Sequence, residues 1–179
     1  MQSEDYPQLE PAGALHYFKK AVEVVKLNRQ AMAEVAKDEN AMRFGLAVTA
    51  IGGGLAALPH TNIEGVSVAA LYSLAVLFLF AGFVHILAGR LKGKDEFMGF
   101  VRVMALSGII DWVAAIPQAA IFVTIWSVMI AIVAAKEVYA LTGNKSTLCV
   151  LLSTSAVWLI SQALFSGLLG SLFEMPGPQ

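Results

Sequence analysis

Charge is the scarcest property of this chain. Asp, Glu, Lys and Arg make up 14% of its 179 residues, against about 25% in ordinary soluble domains. A soluble protein of this size has too much water-facing surface to cover with so few charges. Cysteine is nearly missing as well. Cys149 is the single one, which excludes an intrachain disulfide framework and a metal site built on cysteines. The three histidines, His16, His60 and His85, have no ligand spacing, so no metal site is expected. Motifs of the GxSxG, Walker and HExxH kind are absent. A formal net charge of −1 leaves no basic surplus for a phosphate backbone, so no nucleic-acid partner is expected. The first 40 residues are polar and charged, which predicts no cleavable signal peptide. No catalytic residue and no cofactor are expected.

Apolar residues are what the chain has: 58% of it, with a mean hydropathy of +0.70. Crossing about 30 Å of hydrocarbon takes roughly 20 of them in a helix. Five segments qualify, at about 42–59, 65–89, 97–116, 118–135 and 147–172. The third and fourth come from one run, 97–135, whose only charges are Arg102 and Asp111. As a single helix it would be about 58 Å long at 1.5 Å per residue, so it must fold back. Ile116-Pro117-Gln118 is the place, because proline lacks a backbone donor and suits the first turn of a new helix.

The expected fold class is all-α: a polytopic transmembrane bundle of five spans with an amphipathic N-terminal cytoplasmic helix. Residues 1–12 read as disordered, 13–41 as that helix, 42–172 as the membrane domain and 173–179 as a tail. All twelve Lys and Arg fall before span 1, between spans 2 and 3, at the start of span 3, or between spans 4 and 5. The positive-inside rule therefore predicts a cytoplasmic N-terminus and a C-terminus on the other side. In the N-terminal helix Leu15, Phe18, Val22, Val25 and Met32 form an apolar stripe bordered by Lys19, Lys20, Lys26 and Arg29. Such a helix either lies on the cytoplasmic leaflet or packs beneath the bundle.

The stretch AAKEVYALTGNKST, 134–147, joins spans 4 and 5. Gly143 or Asn144 is expected to end one helix in a left-handed cap, and Ser146 or Thr147 to start the next. Lys136, Glu137, Tyr139, Asn144 and Lys145 make it a candidate docking surface for a partner or for lipid headgroups. This stretch resembles the connection before the last span in Yip1-domain integral membrane proteins. FMGFVRVMALSGIIDWVAAIP, 97–117, and Trp126 in IWSVMIAIV are similar to that family as well. Tyr139 stands where the family often has histidine, Ala134 and Ala140 where it has glycine, and Asp111-Trp112 where a proline often sits. The resemblance implies a five-span fold, a membrane-organising role and, by analogy with eukaryotic members, a GTPase partner. The short N-terminal arm is more like prokaryotic members, so that partner is not carried over.

Charges inside spans are functional by default. Arg102 and Asp111 lie nine residues apart, on opposite sides of a helix, and cannot pair. Arg102 can snorkel to the near interface. Asp111 is expected to bond a neighbour such as Gln118, Thr124 or Gln162. Gly52, Gly53 and Gly54 read as close helix contacts, with Ala56 and Ala57 continuing the small faces, or as a broken span of the transporter kind. The span-5 residues Ser153, Thr154, Ser155, Ser161, Gln162 and Ser166 can bond their own backbone. The reading these features favour is a non-catalytic scaffold or accessory subunit, in contact with the bilayer and with other membrane proteins or further copies of itself. The alternative is a small transporter or channel using Asp111 and Arg102. Scaffolding predicts a dry, closed bundle. Transport predicts a polar interior.

Overall fold

The computed structural model describes residues 13–58, 61–94 and 96–173, with side chains to 164 except at 115 and 117. The disordered segment expected at 1–12, His60, the side chain of Ser166 and nearly all of the C-terminal tail lie outside the described residues. The chain is all-α. Among the described residues seven helices follow one another: α1 Ala14–Val25, α2 Arg29–Lys37, α3 Asn40–Ala57, α4 Ile63–Arg90, α5 Phe97–Ser107, α6 Ala120–Val138 and α7 Gly143–Phe173. A 3₁₀ segment, Gly108–Ala115, continues α5, and a 3₁₀ turn, Pro117–Ala119, leads into α6.

Among the described residues four helical stretches are long and apolar enough to cross a membrane: Ile63–Arg90, Phe97–Ala114, Ala120–Val138 and Gly143–Leu164. The helix covering the expected first span, α3, is not one of them; Asn40, Arg43 and the glycines 45, 52, 53 and 54 dilute its apolar residues. The chain reverses where Ile116 turns extended (φ −89°, ψ 112°) and Pro117 opens the next turn. Residues 91–94 and 139–142 lie at one end of the bundle, here the basic end. Leu58, Thr61, Asn62 and the turn 116–119 lie at the far end.

Small residues set the packing. A Cβ on Gly45 would come within 2.8 Å of the Ala105 Cβ, and one on Gly52 within 3.0 Å of the Gly108 carbonyl. So α3 runs parallel to α5 and its 3₁₀ extension at near backbone contact. Gly53 turns the other way, where a Cβ would sit 2.5 Å from Ser73 on α4. Through these glycines α3 is one unbroken helix wedged between two neighbours. Antiparallel α4 and α7 are tied twice, by Cys149 Sγ donating to the Val84 carbonyl (3.3 Å) and by Tyr72 Oη donating to Ser161 Oγ (2.9 Å).

The basic end is densely filled. Phe100 and Tyr139 are fully buried, with Val84, Ala88, Ala134, Ala135 and Val150 around them. The Phe100 ring lies 5.5 Å from that of Tyr139 and 6.1 Å from that of Phe80.

The N-terminal segment is two helices, not one. Asn28 interrupts it, because its side chain accepts from the backbone N–H groups of Gln30 and Ala31 and so caps α2. The buried seam differs from the stripe read off the sequence. Tyr17, Ala21 and Val24 face inward, while Leu15 and Phe18 are 68% and 42% exposed. The apolar arc of α1 is wider than one contact, and the bundle takes one edge of it. Trp126 Nε1 on α6 donates to the Val25 carbonyl (2.8 Å), and Arg29 pairs with Glu137 at 3.4 Å. These bonds fix the α1–α2 hairpin against the bundle.

The cap expected at Gly143 or Asn144 lies elsewhere. Ala140 is the left-handed residue (φ 53°), and Gly143 already belongs to α7. Tyr139 is buried and its carbonyl accepts from Lys94 N–H at 3.0 Å, so the chain must turn immediately after it. Ser146 and Thr147 sit inside α7 and donate back to the Gly143 carbonyl.

Candidate functional site

Between α3, α4, the 3₁₀ segment, α6 and α7 lies an open cavity of about 740 Å³. Its walls belong to the far half of the bundle: Gly52 to Ala57 of α3, Ala69 to Phe80 of α4, Ser107 to Ala114, Ala120 to Ala131 of α6 and Thr154 to Ser161 of α7. Below it the helices close on the aromatic core of the basic end. Tyr72 and Trp158 line the cavity and are 50% and 60% exposed, so they stand at its mouth. Leu77, Val123 and Val157 are buried in its wall.

Asp111 is placed in this cavity by the 3₁₀ segment. That segment rises more steeply than an α-helix and passes Gly52, where an added Cβ would lie 3.1 Å from the Asp111 Cβ. The partners expected for Asp111 do not meet it. Thr124 donates to the Ala120 carbonyl instead (2.9 Å), and no hydrogen bond joins Asp111 to Gln118 or Gln162. The carboxyl is the single acidic or basic side chain in the described lining.

Hydroxyls line the same cavity, but most of their hydrogens are already engaged. Thr49 donates to the Ala105 carbonyl (2.9 Å), Ser107 to that of Met104 (2.7 Å), and Ser73 to those of Ala70 (2.8 Å) and Thr49 (3.1 Å). Tyr72 donates to Ser161, as above. These oxygens therefore offer lone pairs to the cavity rather than protons.

Arg102 is not part of this site. Its Nη1 donates to the Ala36 carbonyl at 2.7 Å, in the last turn of α2. The two in-span charges are thus separated, as their spacing implied, and each has a separate setting. The residues of the 134–147 connection are divided between core and surface. Tyr139 is fully buried, Glu137 pairs with Arg29, and Lys145 Nζ donates to the Leu91 carbonyl at 3.3 Å. Lys136 is half-buried and Asn144 is exposed.

Sequence reasoning missed the convergence of Thr49, Ser73, Ser107 and Ser127 on the cavity. The available signal was the recurrence of hydroxyl residues within otherwise apolar spans, on four different segments. Of the span-5 residues, Thr154 and Ser161 reach the cavity, while Ser153 is buried with its hydroxyl unpartnered among the described residues. No family model matches the chain, and no curated protein or solved structure is similar to it.

Proposed function

We propose that this is a five-span integral membrane protein that holds a small molecule in the far half of its bundle, without chemistry. The observation that carries the reading is the cavity of about 740 Å³, within the range of about 300–1,000 Å³ usual for ligand sites. A few polar groups and one carboxylate on an apolar lining are what such sites use for orientation. In this reading α3 serves as the first span, shielded by α4 and the 3₁₀ segment. The basic end faces the cytoplasm, since all twelve Lys and Arg fall on one side of a five-span count, and the cavity opens toward the opposite face. The exposed edge of α1, Leu15 and Phe18 beside Lys19, suits the cytoplasmic interface.

Binding is favoured over scaffolding because a scaffold needs no interior space. The scaffold reading retains the exposed row Ile121, Phe122, Ile125 and Met129 of α6, and lipid alone accounts for that. The Yip1-type resemblance stays a proposal resting on 97–117 and 134–147, and a GTPase partner rests on that analogy alone. Carriage across the membrane is an extension of the binding reading, with the filled basic end as its closed gate.

The test is native mass spectrometry of protein extracted gently from its own membrane. Expected is a non-protein adduct that Thr154→Trp, which puts an indole into the cavity, removes. Bare wild-type protein, or a stoichiometric second protein with no small molecule, would turn the assignment back to scaffolding.

A further inference from the structure

The hydrogen-bonding groups of the cavity restrict what it can accept. Asp111 brings a carboxyl with no protein partner among the described residues. No Lys, Arg or His is among the lining residues. Thr49, Ser73, Ser107 and Thr124 have their hydroxyl hydrogens committed to backbone carbonyls. The hydroxyls of Ser127, Thr154 and Ser161 remain, all neutral. The interior is therefore rich in acceptors and poor in donors. A carboxylate or phosphate group entering it would meet Asp111 and lone pairs, and no cation. A ligand bringing N–H donors and positive charge would satisfy both, and would meet the aromatic rings of Tyr72 and Trp158 at the mouth. The volume far exceeds an ammonium head, and Val76, Leu77, Phe80, Val123 and Val157 line the rest.

We propose that the cavity binds an amphiphilic amine, its protonated nitrogen on the Asp111 carboxylate and its apolar body along the α4, α6 and α7 walls. The proposal rests on the binding reading above and adds the chemical class of the ligand. The size of the cavity argues against a bare metal cation. A carboxylate held in an apolar interior keeps its charge only beside a cation, so the ligand completes the site.

The experiment compares dodecylamine with dodecanol, which has the same chain and a neutral head. Saturable binding is measured on the full chain in phosphatidylcholine nanodiscs, through tryptophan emission and thermal shift. A charged hydrogen bond is worth about 1.5–3 kcal/mol, so dodecylamine should bind about 10- to 100-fold tighter than dodecanol. Asp111→Asn should bring the amine down to the level of the alcohol. Should that variant fail to fold, the wild type supplies a second readout. Its preference for the amine should fade as pH passes the alkylammonium range, about 10.4. Equal binding of amine and alcohol to the wild type would overturn the amine assignment and leave the cavity reading standing. Absence of saturable binding by either, with Thr154→Trp behaving as wild type, would remove both.

Discussion

Arg102 Nη1 and the Ala36 carbonyl lie 2.7 Å apart, so a guanidinium from α5 closes the C-terminal end of α2. Positive charge at that end of a helix meets unpaired carbonyls and the negative pole of the helix dipole. An in-span arginine thereby becomes the tie between bundle and N-terminal hairpin. Nine residues along the same stretch, Asp111 has no such tie and faces a cavity.

Arg102→Met should loosen the hairpin. Removing a charged donor from a half-buried carbonyl costs about 1.5–3 kcal/mol. The melting temperature in detergent should fall, and protease cleavage should appear first within 26–39. Arg102→Lys should recover part of the loss. Unchanged proteolysis of the hairpin in Arg102→Met would refute the tie.

The glycines divide into two kinds. Gly53→Ala puts a Cβ 2.5 Å from Ser73 and 3.0 Å from the Ala69 carbonyl, so α3 and α4 must separate. Overpacking of this kind costs about 1–3 kcal/mol. Gly82, mid-helix on α4, has nothing within 4 Å of the place a Cβ would take. Gly82→Ala should therefore gain from helix propensity, up to about 1 kcal/mol. Thermal melts of the two variants should move in opposite directions.

Three helices end on left-handed residues that are not glycine: Leu27 (φ 63°), Lys92 (φ 64°) and Ala140 (φ 53°). An L-residue in this conformation costs about 1–2 kcal/mol, which glycine avoids. Ala140→Gly should raise stability by roughly 1 kcal/mol, less the added entropy of the unfolded chain. Ala140→Val should lower it. Chemical denaturation of the two variants is the check.

Tyr17 gives a pH dependence. Burial, then the charge of Asp38 and the hydrogen bond to it, raise its phenol above the ordinary value of 10.0. The folded state thus holds the proton more tightly than the unfolded state. This contribution is complete below pH 10 and is lost as pH rises through the higher folded value. The difference spectrum between wild type and Tyr17→Phe should show a phenolate forming above pH 10, and Asp38→Asn should shift it downward. A phenolate forming at the ordinary value would contradict the Tyr17–Asp38 contact.

Much of the architecture is a matter of composition and could be read residue by residue. Apolar runs of helical length follow from what hydrocarbon requires. The reversal at Ile116-Pro117 follows from a missing backbone donor and a fixed φ. The division of the charges between the two ends is visible from where the lysines and arginines fall along the chain. Asn28 could have been read as a cap; the long apolar stripe around it obscured it.

What only tertiary structure decided is which faces meet. The left-handed cap of α6 fell on Ala140 because burial of Tyr139 forced the turn there, against the local preference for Gly143. Arg102 and Asp111 look alike in a hydropathy profile. One reaches a helix end contributed by residues 66 positions earlier, and the other lines an open cavity between five segments. Sequence determines how apolar each segment is. Whether a charge inside it is satisfied depends on contacts between segments far apart in the chain, and those exist only once the helices have packed.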